Sequence, residues 1–334
     1  MKIHAASSSA CLALSIAACG GGGGGASSGP ASTGAGASAA SQCVDLTPQR
    51  LVPASMWHGT VFTIVMENKS QKDIFGNPDA PFLNALVAQN AVAMGYRDNL
   101  VHPSEPNYIA MVAGQSFGIT DDADPASHHL DTTSHLADQL EMQGLTWKAY
   151  EESMGAPCGL TAKYPYEPKH DPFVFFDDIN GWDGTKFQAS SRCTDHVVDY
   201  SQLDKDLAAK TVPTYAFITP NMIDDMHDGT VAQGDAWLAR EVPKILESDA
   251  FNNGGVLFLT FDEGSNNQDD PPMIVISPNA KRGYASTKTY NASSYLKTVQ
   301  TILGLEPLPC SADPAAVATM DDLFSVPLAA TAAP

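Results

Sequence analysis

The chain has 334 residues, and 38 acidic residues against 18 lysines and arginines give it a formal net charge of −20 at neutral pH. This charge argues against nucleic-acid binding, which depends on lysine and arginine displacing counterions from phosphates. It also argues against adsorption of the folded part to an anionic lipid surface. No feature of the sequence predicts a protein partner.

The first forty residues predict export and not a fold. Lys2 precedes a short apolar stretch, residues 10–18, whereas a membrane-spanning helix needs about 20 apolar residues. The stretch ends in Ile16-Ala17-Ala18-Cys19, which resembles a bacterial lipobox and implies cleavage before Cys19 and lipidation of its thiol. An ordinary signal peptide with an incidental cysteine is the alternative. We therefore expect a signal peptide at 1–18 and an envelope lipoprotein, periplasmic or at the cell surface, or a secreted protein.

Residues 19–42 follow as a tether rich in Gly, Ser and Ala, which buries too little apolar surface to fold. Residues 43–334 show no repeat and no low-complexity break, so we expect one large domain. Its four cysteines lack the C-x-x-C spacing of zinc sites and allow three disulfide pairings. In an oxidising compartment we expect Cys158–Cys193 to close a loop and Cys43–Cys310 to join the chain ends.

Strand-like and helix-like segments alternate along this domain. The β-branched run at 61–66 predicts a buried strand, and residues 81–93 predict a helix capped by Asp79. Pro243 predicts a kink or an early break in a helix over 232–247. Further helices are predicted over 106–113, 134–143 and 293–303, and further strands over 146–150, 213–219, 256–261 and 273–277. The alternation predicts an α/β fold with a mostly parallel central sheet and helices on both faces.

Polar side chains follow three of these strands, and parallel strands deliver their carboxyl ends to one edge, where ligands bind. Glu67 and Asn68 follow the first strand, residues 220–229 follow another, and Asp262 and Glu263 follow a third. For any one strand, ordinary turn chemistry explains such residues. Together, the carboxylates would repel one another unless a cation lay between them. Their oxygens suit Mg²⁺, Ca²⁺ or Mn²⁺, and histidine would admit Zn²⁺.

The segment 102–108, His-Pro-Ser-Glu-Pro-Asn-Tyr, places Ser104 just before a predicted helix that Pro106 begins. Free backbone N–H groups at such a position favour a phosphoryl anion. The alternative is that Ser104 only caps the helix.

At these residues the chain resembles the phosphoesterase family that joins bacterial acid phosphatases to phospholipase C enzymes and has an alkaline-phosphatase-like α/β/α fold. The similarity covers nearly all of residues 58–325, with the family's motifs in the family's order. They are Met66-Glu67-Asn68, the segment 102–108, Lys169-His170-Asp171-Pro172-Phe173, Asp225-Met226-His227-Asp228-Gly229 and Phe261-Asp262-Glu263-Gly264.

The resemblance implies roles for the matching residues. Ser104 stands where the family has its nucleophile, His170 and His227 match active-site histidines, and Glu263 stands where the family has another acidic residue. Glu67, Asn68 and Asp262 match the metal-binding positions, so we expect a divalent cation there. Lys169 is either a phosphate-steering group or a solvated surface lysine. His128, His129 and His135 have no motif context and are predicted to be loop residues.

Together these features predict metal-dependent hydrolysis of phosphate esters, most simply of monoesters through a phosphoserine. Tyr108 stands where the phospholipase C branch commonly has arginine, and the larger phospholipases' extra C-terminal domains are not present in this sequence. Both departures favour a small, phosphatase-like member. The alternatives are a phospholipase C-type phosphodiesterase and a non-catalytic binding lipoprotein.

Overall fold

The computed structural model describes residues 57–98, 102–188, 190–268, 270–308 and 317–328. All of them belong to one compact unit, Ser41–Pro334. Its centre is an eight-stranded sheet in the order β4-β3-β5-β1-β6-β7-β2-β8. The strands are β1 (Val61–Met66), β2 (Ala91–Tyr96), β3 (Trp147–Glu151), β4 (Val197–Asp199), β5 (Tyr215–Thr219), β6 (Val256–Phe261), β7 (Met273–Ile276) and β8 (Tyr284–Tyr290).

The sheet is mostly parallel, which confirms the predicted fold class. β1 lies between β5 and β6 and runs parallel to both, with Val61 opposite Tyr215 on one side and Val256 on the other. β7 alone runs antiparallel to its neighbours β6 and β2. The carboxyl ends of β1, β5 and β6 therefore open at one edge, side by side.

Helices cover both faces of the sheet. They are α1 (Gln71–Ile74), α2 (Pro81–Gln89), α3 (Glu105–Ala113), α4 (Leu136–Met142), α5 (Asp177–Asn180), α6 (Ser191–His196), α7 (Ser201–Ala209), α8 (Val231–Leu246), α9 (Asp249–Asn252) and α10 (Ala292–Leu303), with short 3₁₀ turns at Pro168–His170, Pro172–Phe175, Ser265–Asn267 and Asp321–Leu323. Two apolar cores result. One joins α3, α4 and α10 to the sheet face of Val61 and Val65, and the other joins α2, α7 and α8 to the face of Phe62. Because both faces are covered, all six residues of β1 are buried.

The predicted helix over 81–93 is wrong at its C-terminal end. α2 ends at Gln89, and Ala91–Tyr96 is the strand β2. The sequence of Ala91–Tyr96 also fits a continued helix, which is why the strand was missed. Pairing with β7 and β8 makes this segment a strand. Gly95 permits that pairing, since a Cβ there would lie 2.1 Å from the Lys288 carbonyl oxygen. The strands β4 and β8, at the two edges, were also not predicted.

The structure also tests the predicted break at Pro243 and one of the predicted disulfides. α8 continues past Pro243 to Leu246, so the predicted early break does not occur; the proline removes one N–H donor, and the helix ends within one further turn. The predicted disulfide Cys158–Cys193 is confirmed, with Cα atoms 5.3 Å apart. Cys43, Cys310, the lipobox and the tether lie outside the described residues. Within the described ranges, no helix has the length and apolar character needed to cross a membrane.

The cap of α2 comes from another helix and not from Asp79, so that prediction is wrong. The residue at the cap position is Ala80, which has no capping side chain. The buried carboxylate of Asp235 on α8 accepts instead from the backbone N–H groups of Phe82, at 3.0 Å, and Leu83, at 2.8 Å. This interaction ties α2 to α8 on one face of the sheet.

We predict that Asp235→Ala lowers the free energy of unfolding by about 1–2 kcal/mol, because it leaves two helix N–H donors buried without an acceptor. Asp79→Ala is the matched control, since that carboxylate is exposed and should have almost no effect. Urea unfolding followed by circular dichroism measures both. Equal destabilisation by the two substitutions would contradict the assignment of the cap.

Candidate active site

The candidate site lies at the edge where β1, β5 and β6 end, and Glu67 is at its centre. Glu67 follows β1 directly and is completely buried. Its Oε2 accepts hydrogen bonds from Ser104 Oγ, at 3.0 Å, and from Asn68 Nδ2, at 2.8 Å. One carboxylate therefore links the predicted nucleophile to a predicted metal-binding residue.

Ser104 is at the N-cap position of α3 but does not cap the helix with its side chain. The two residues that such a cap would satisfy do not need it, because Pro106 has no N–H and the backbone N–H of Asn107 donates to the Ser104 carbonyl at 2.9 Å. Asp122 Oδ1 accepts from the backbone N–H of Glu105 at 3.0 Å. The hydroxyl of Ser104 donates instead to Glu67. Every residue of α3 is buried, which fixes the position of the serine relative to the sheet.

Asp262 follows β6 and is held against the loop after β1. Its backbone N–H donates to the Met66 carbonyl at 3.0 Å, and its Oδ1 accepts from the backbone N–H of Asn68 at 3.0 Å. Asn68 adopts a left-handed φ of 54°, which asparagine tolerates better than most residues. The structure therefore brings Glu67, Asn68, Ser104 and Asp262 into one cluster.

The two predicted histidines join this cluster in different ways. His170 is buried, with Nε2 3.3 Å from Glu67 Oε1 and Nδ1 3.4 Å from Asp225 Oδ2. Its ring stacks on that of Tyr108 at 5.2 Å. His227 has a ring centroid 5.8 Å from that of His170, a side chain that is 28% exposed, and Nδ1 2.8 Å from Asp228 Oδ1. Of the two, His227 is the more accessible to a ligand.

Asp225 is part of the site, although its sequence motif was assigned to His227 alone. It is buried, its carbonyl accepts from the backbone N–H of Glu67 at 2.8 Å, and its Oδ1 accepts from the backbone N–H of His227 at 2.6 Å. Its sequence signal was its place in the motif Asp225-Met226-His227-Asp228-Gly229. The motif excludes Asp224 but does not show which of its own two aspartates, Asp225 or Asp228, enters the site.

Glu263 contacts a second pair of residues that the sequence did not single out. Its Oε2 lies 2.7 Å from His102 Nδ1 and accepts from Asn107 Nδ2 at 3.2 Å. Both partners belong to the segment 102–108 that carries Ser104. Glu263 thus connects the loop after β6 to the two ends of the nucleophile's segment.

Burial and mutual repulsion dominate the electrostatics of the cluster. Burial, followed by the charges of Asp262 and Asp225, raises the pKa of Glu67 well above its usual value. Burial raises the pKa of Asp262 to about 6. Burial and then Asp262 raise the pKa of Glu263 to about 9. Burial lowers the pKa of His170 well below its usual value, and the positive charges of Lys169 and His227 lower it further.

These residues fit a divalent cation. Among the buried side-chain atoms without a hydrogen-bond partner in the described residues are four from this cluster: Glu67 Oε1, His170 Nε2, Asp225 Oδ2 and Asp262 Oδ2. Carboxylate oxygen and imidazole nitrogen are both metal ligands. Glu67, His170 and His227 each offer a ligand atom within 4.8 Å of the others. This group shares Glu67 with the predicted set of Glu67, Asn68 and Asp262.

A second acidic cluster, formed by His135, Asp138 and Asp178, has a similar spacing but is already neutralised. The guanidinium of Arg192 forms ion pairs with both aspartates. His135 ends the loop before α4, as predicted, and is the buried N-cap of that helix, where its side chain accepts from the backbone N–H of Asp138. We interpret this cluster as structural.

Three further residues considered in the sequence, Lys169, His128 and His129, also have partners. Lys169 Nζ lies 2.9 Å from Asp122 Oδ2, so it is not a solvated surface lysine. His128 lies 2.5 Å from the buried carboxylate of Glu105, and the ring of His129 stacks on Trp182.

The comparison with known proteins agrees with this geometry. A model of the phosphoesterase family matches residues 67–270, which contain every member of the cluster. The chain belongs to the phosphoesterase family. It is 32% identical over 248 residues to a phosphatidylinositol-3-phosphatase of Mycobacterium tuberculosis, covering 73% of this chain and 77% of the relative. It is 28% identical over 260 residues to an acid phosphatase of Aspergillus fumigatus, covering 74% of this chain and 55% of the relative.

Solved structures confirm the alkaline-phosphatase-like fold of this phosphoesterase. A protein of the alkaline phosphatase superfamily from Vibrio parahaemolyticus aligns with a TM-score of 0.54 at 13% identity, over 84% of this chain and 77% of its own. Murine ectonucleotide pyrophosphatase/phosphodiesterase 5 aligns with a TM-score of 0.57 at 10% identity, over 80% of this chain and all of its own. The relatives establish a hydrolase acting on phosphoric ester bonds.

We predict that a divalent cation stabilises the phosphoesterase more strongly at about pH 7 than at about pH 5. Without a cation, the raised pKa of Asp262 means that the native state binds more protons than the unfolded chain between the ordinary aspartate value and about 6. The free energy of unfolding of the chelated protein therefore falls as the pH rises through that range, and a cation replaces the lost protons.

The measurement is the melting temperature of chelated protein at both pH values, with and without Mg²⁺, Ca²⁺, Mn²⁺ or Zn²⁺. Glu67→Gln, which removes a charge and a ligand, should abolish most of the cation's effect. Melting temperatures that do not respond to any of the four ions would contradict a cation site in this cluster.

Proposed function

We propose that the chain is a metal-dependent phosphomonoesterase that transfers the phosphoryl group of its substrate to Ser104. The observation that carries this proposal is the position of the Ser104 hydroxyl, 3.0 Å from a buried carboxylate and not used to cap its helix. A serine with a purely structural role would not need a buried acidic partner. The acidic surroundings of Glu67 and Asp262 support a cation as the third component.

Glu67, Asn68 and Asp262 would hold the cation, which supplies positive charge to stabilise the alkoxide of Ser104 and the phosphoryl oxygens. Glu67 Oε2 accepts the hydrogen bond of Ser104 Oγ and so orients the nucleophile. The buried helix α3 holds the serine in place. Attack of Ser104 Oγ on phosphorus breaks the bond to the leaving alcohol and gives a phosphoserine, while the hydroxyl proton passes to Glu67 Oε2 and returns to Ser104 when the phosphoserine is hydrolysed.

His227 is our choice for the group that protonates the leaving oxygen. Its ring is partly exposed, whereas His170 is buried between Glu67 and Asp225. The Asp228 carboxylate occupies Nδ1, which leaves Nε2 as the nitrogen for proton transfer. After the alcohol leaves, the same imidazole takes a proton from the water that hydrolyses the phosphoserine.

Monoesters are favoured over diesters by two observations. The relatives described above are named as phosphatases, and Tyr108 occupies the position where the phospholipase C branch commonly has arginine. Phospholipase C-type phosphodiesterase activity remains the alternative, and a non-catalytic binding lipoprotein is a weaker one. The chain spans about half the length of the fungal acid phosphatases, so their activity supports the proposal without deciding its substrate.

We also propose that the protein is exported and anchored through Cys19. The Cys158–Cys193 disulfide supports an oxidising compartment. Labelling with a radioactive fatty acid in a bacterial host tests the anchor, and a Cys19→Ser protein that labels equally would refute it.

The central experiment compares hydrolysis of p-nitrophenyl phosphate and bis-p-nitrophenyl phosphate by chelated protein after readdition of single divalent cations. We predict cation-restored cleavage of the monoester and little cleavage of the diester. Cleavage of the diester alone would move the assignment to a phosphodiesterase. Failure on both substrates with every cation would refute the proposed activity.

For Ser104→Ala we predict turnover lower than that of the wild type by about 10³-fold or more, with unchanged melting temperature and cation binding. Ser134→Ala is the matched control, because Ser134 is also buried but precedes α4, outside the site. Acid quenching followed by mass spectrometry should detect a phosphoryl group on Ser104 of the wild type. Substantial activity in the Ser104→Ala protein would exclude the serine as nucleophile.

Replacing His227 should reveal its role through the leaving group. We predict that His227→Ala lowers kcat/KM for alkyl phosphates by about 10²-fold or more but affects p-nitrophenyl phosphate much less, since nitrophenolate leaves without a proton. His129→Ala is the control, because His129 stacks on Trp182 away from the cluster. An equal loss on both substrates would show that His227 positions other groups and does not protonate the leaving oxygen.

A further inference from the structure

A pocket of about 560 Å³ opens beside the catalytic cluster. Asn68 belongs to both, because its side chain contacts Glu67 and also lines the pocket. The other walls come from Lys69 and α1, from Ser265 in the loop after β6, and from Val231 at the start of α8. These are continuations of the same three segments that carry Glu67, Asp262 and His227. The pocket therefore adjoins the site at Asn68, which makes it a space that a substituent on an ester bound at Ser104 can reach.

The pocket concentrates positive charge in an acidic protein. Lys69 and Lys72 both line it, although the whole chain has only 18 lysines and arginines. Lys69 is half-buried, and its Nζ donates to the Met226 carbonyl at 2.8 Å, which leaves two of its three donors for a ligand. Lys72 is exposed and forms no ion pair with another described residue.

The carboxylate in the pocket wall, that of Asp73, forms hydrogen bonds with the protein. Asp73 Oδ2 accepts from the backbone N–H of Ser70, at 2.9 Å, and from Ser265 Oγ, at 2.5 Å. It therefore closes the α1 turn against the loop after β6. Phe75, which is partly buried, adds an apolar wall that suits a hydrocarbon or ring spacer.

We propose that this pocket binds a second phosphate-type anion on the leaving alcohol of the substrate, through the ammonium groups of Lys69 and Lys72. The inference rests on the proposed phosphomonoesterase activity and specifies its substrate class: monoesters that carry another phosphoryl oxyanion. That oxyanion belongs either to a soluble bisphosphate or to a phosphodiester in a lipid headgroup, and both present the same chemistry to the lysines.

The test compares alkanediol bisphosphates with the matching hydroxyalkyl monophosphates over a series of spacer lengths, using cation-loaded protein. The readout is the ratio of kcat/KM for the bisphosphate to that for the monophosphate. We expect a ratio above one in the wild type, with a maximum at one spacer length. Lys72→Glu should lower that maximum about five- to tenfold, and Lys72→Arg should preserve it.

Lys205→Glu is the matched control, since it makes the same change in net charge on α7, which packs against β3 and away from the pocket. A short-chain lipid monoester whose headgroup includes a phosphodiester forms the second arm. Preference for it over the same headgroup without the diester identifies the lipid source, whereas preference for alkanediol bisphosphates alone identifies a soluble one.

Two results would overturn the proposal while the phosphomonoesterase assignment stands. One is a ratio near one at every spacer length in protein that cleaves p-nitrophenyl phosphate. The other is an equal fall of the ratio in Lys72→Glu and Lys205→Glu, which would show a general effect of charge. Failure to cleave p-nitrophenyl phosphate with any cation would overturn both proposals together.

Discussion

The constraint on which the site depends is the burial of several carboxylates in one place. Glu67, Asp225 and Asp262 lie together at the edge of the sheet, each with an oxygen that no described residue satisfies by a hydrogen bond. Burial raises the pKa of all three groups, and the charge of Asp262 raises the pKa of Glu67 and Asp225 further. Such an arrangement costs stability unless a cation compensates it, and proteins keep such costs where function requires them. The raised pKa values therefore point to the same functional site as the sequence motifs.

The elements of the fold hold the site residues at this edge of the sheet. β1 is covered on both faces and paired on both sides, so its end is held by neighbours on every side, and Glu67 follows it immediately. The neighbouring strands β5 and β6 bring the loops with His227 and Asp262 to the same place. Ser104 comes from outside the sheet, and the fully buried α3 holds it there. Rigid elements thus position charged groups that repel one another.

Much of this was predictable from sequence, and the exceptions have physical causes. The central strands are continuous apolar runs, whereas β2 is built from small residues and β4 and β8 are edge strands with weak patterns. Pro106 predicts where α3 begins, but the partner of the Ser104 hydroxyl is Glu67, which is 37 residues away in the chain. The motifs identified the residues that meet; the contributions of Asp225 and His102 needed three-dimensional contacts. The predicted pairing of Cys43 with Cys310 and the lipid anchor stay predictions.

The central claim is that a divalent cation binds between the strand ends beside Ser104. Anomalous diffraction from crystals of the protein soaked in Mn²⁺ tests it most directly. We expect a strong Mn²⁺ peak in the anomalous difference map, in contact with Glu67 and with Asp262 or His170. Absence of a peak there, or a peak only at His135, Asp138 and Asp178, would contradict it.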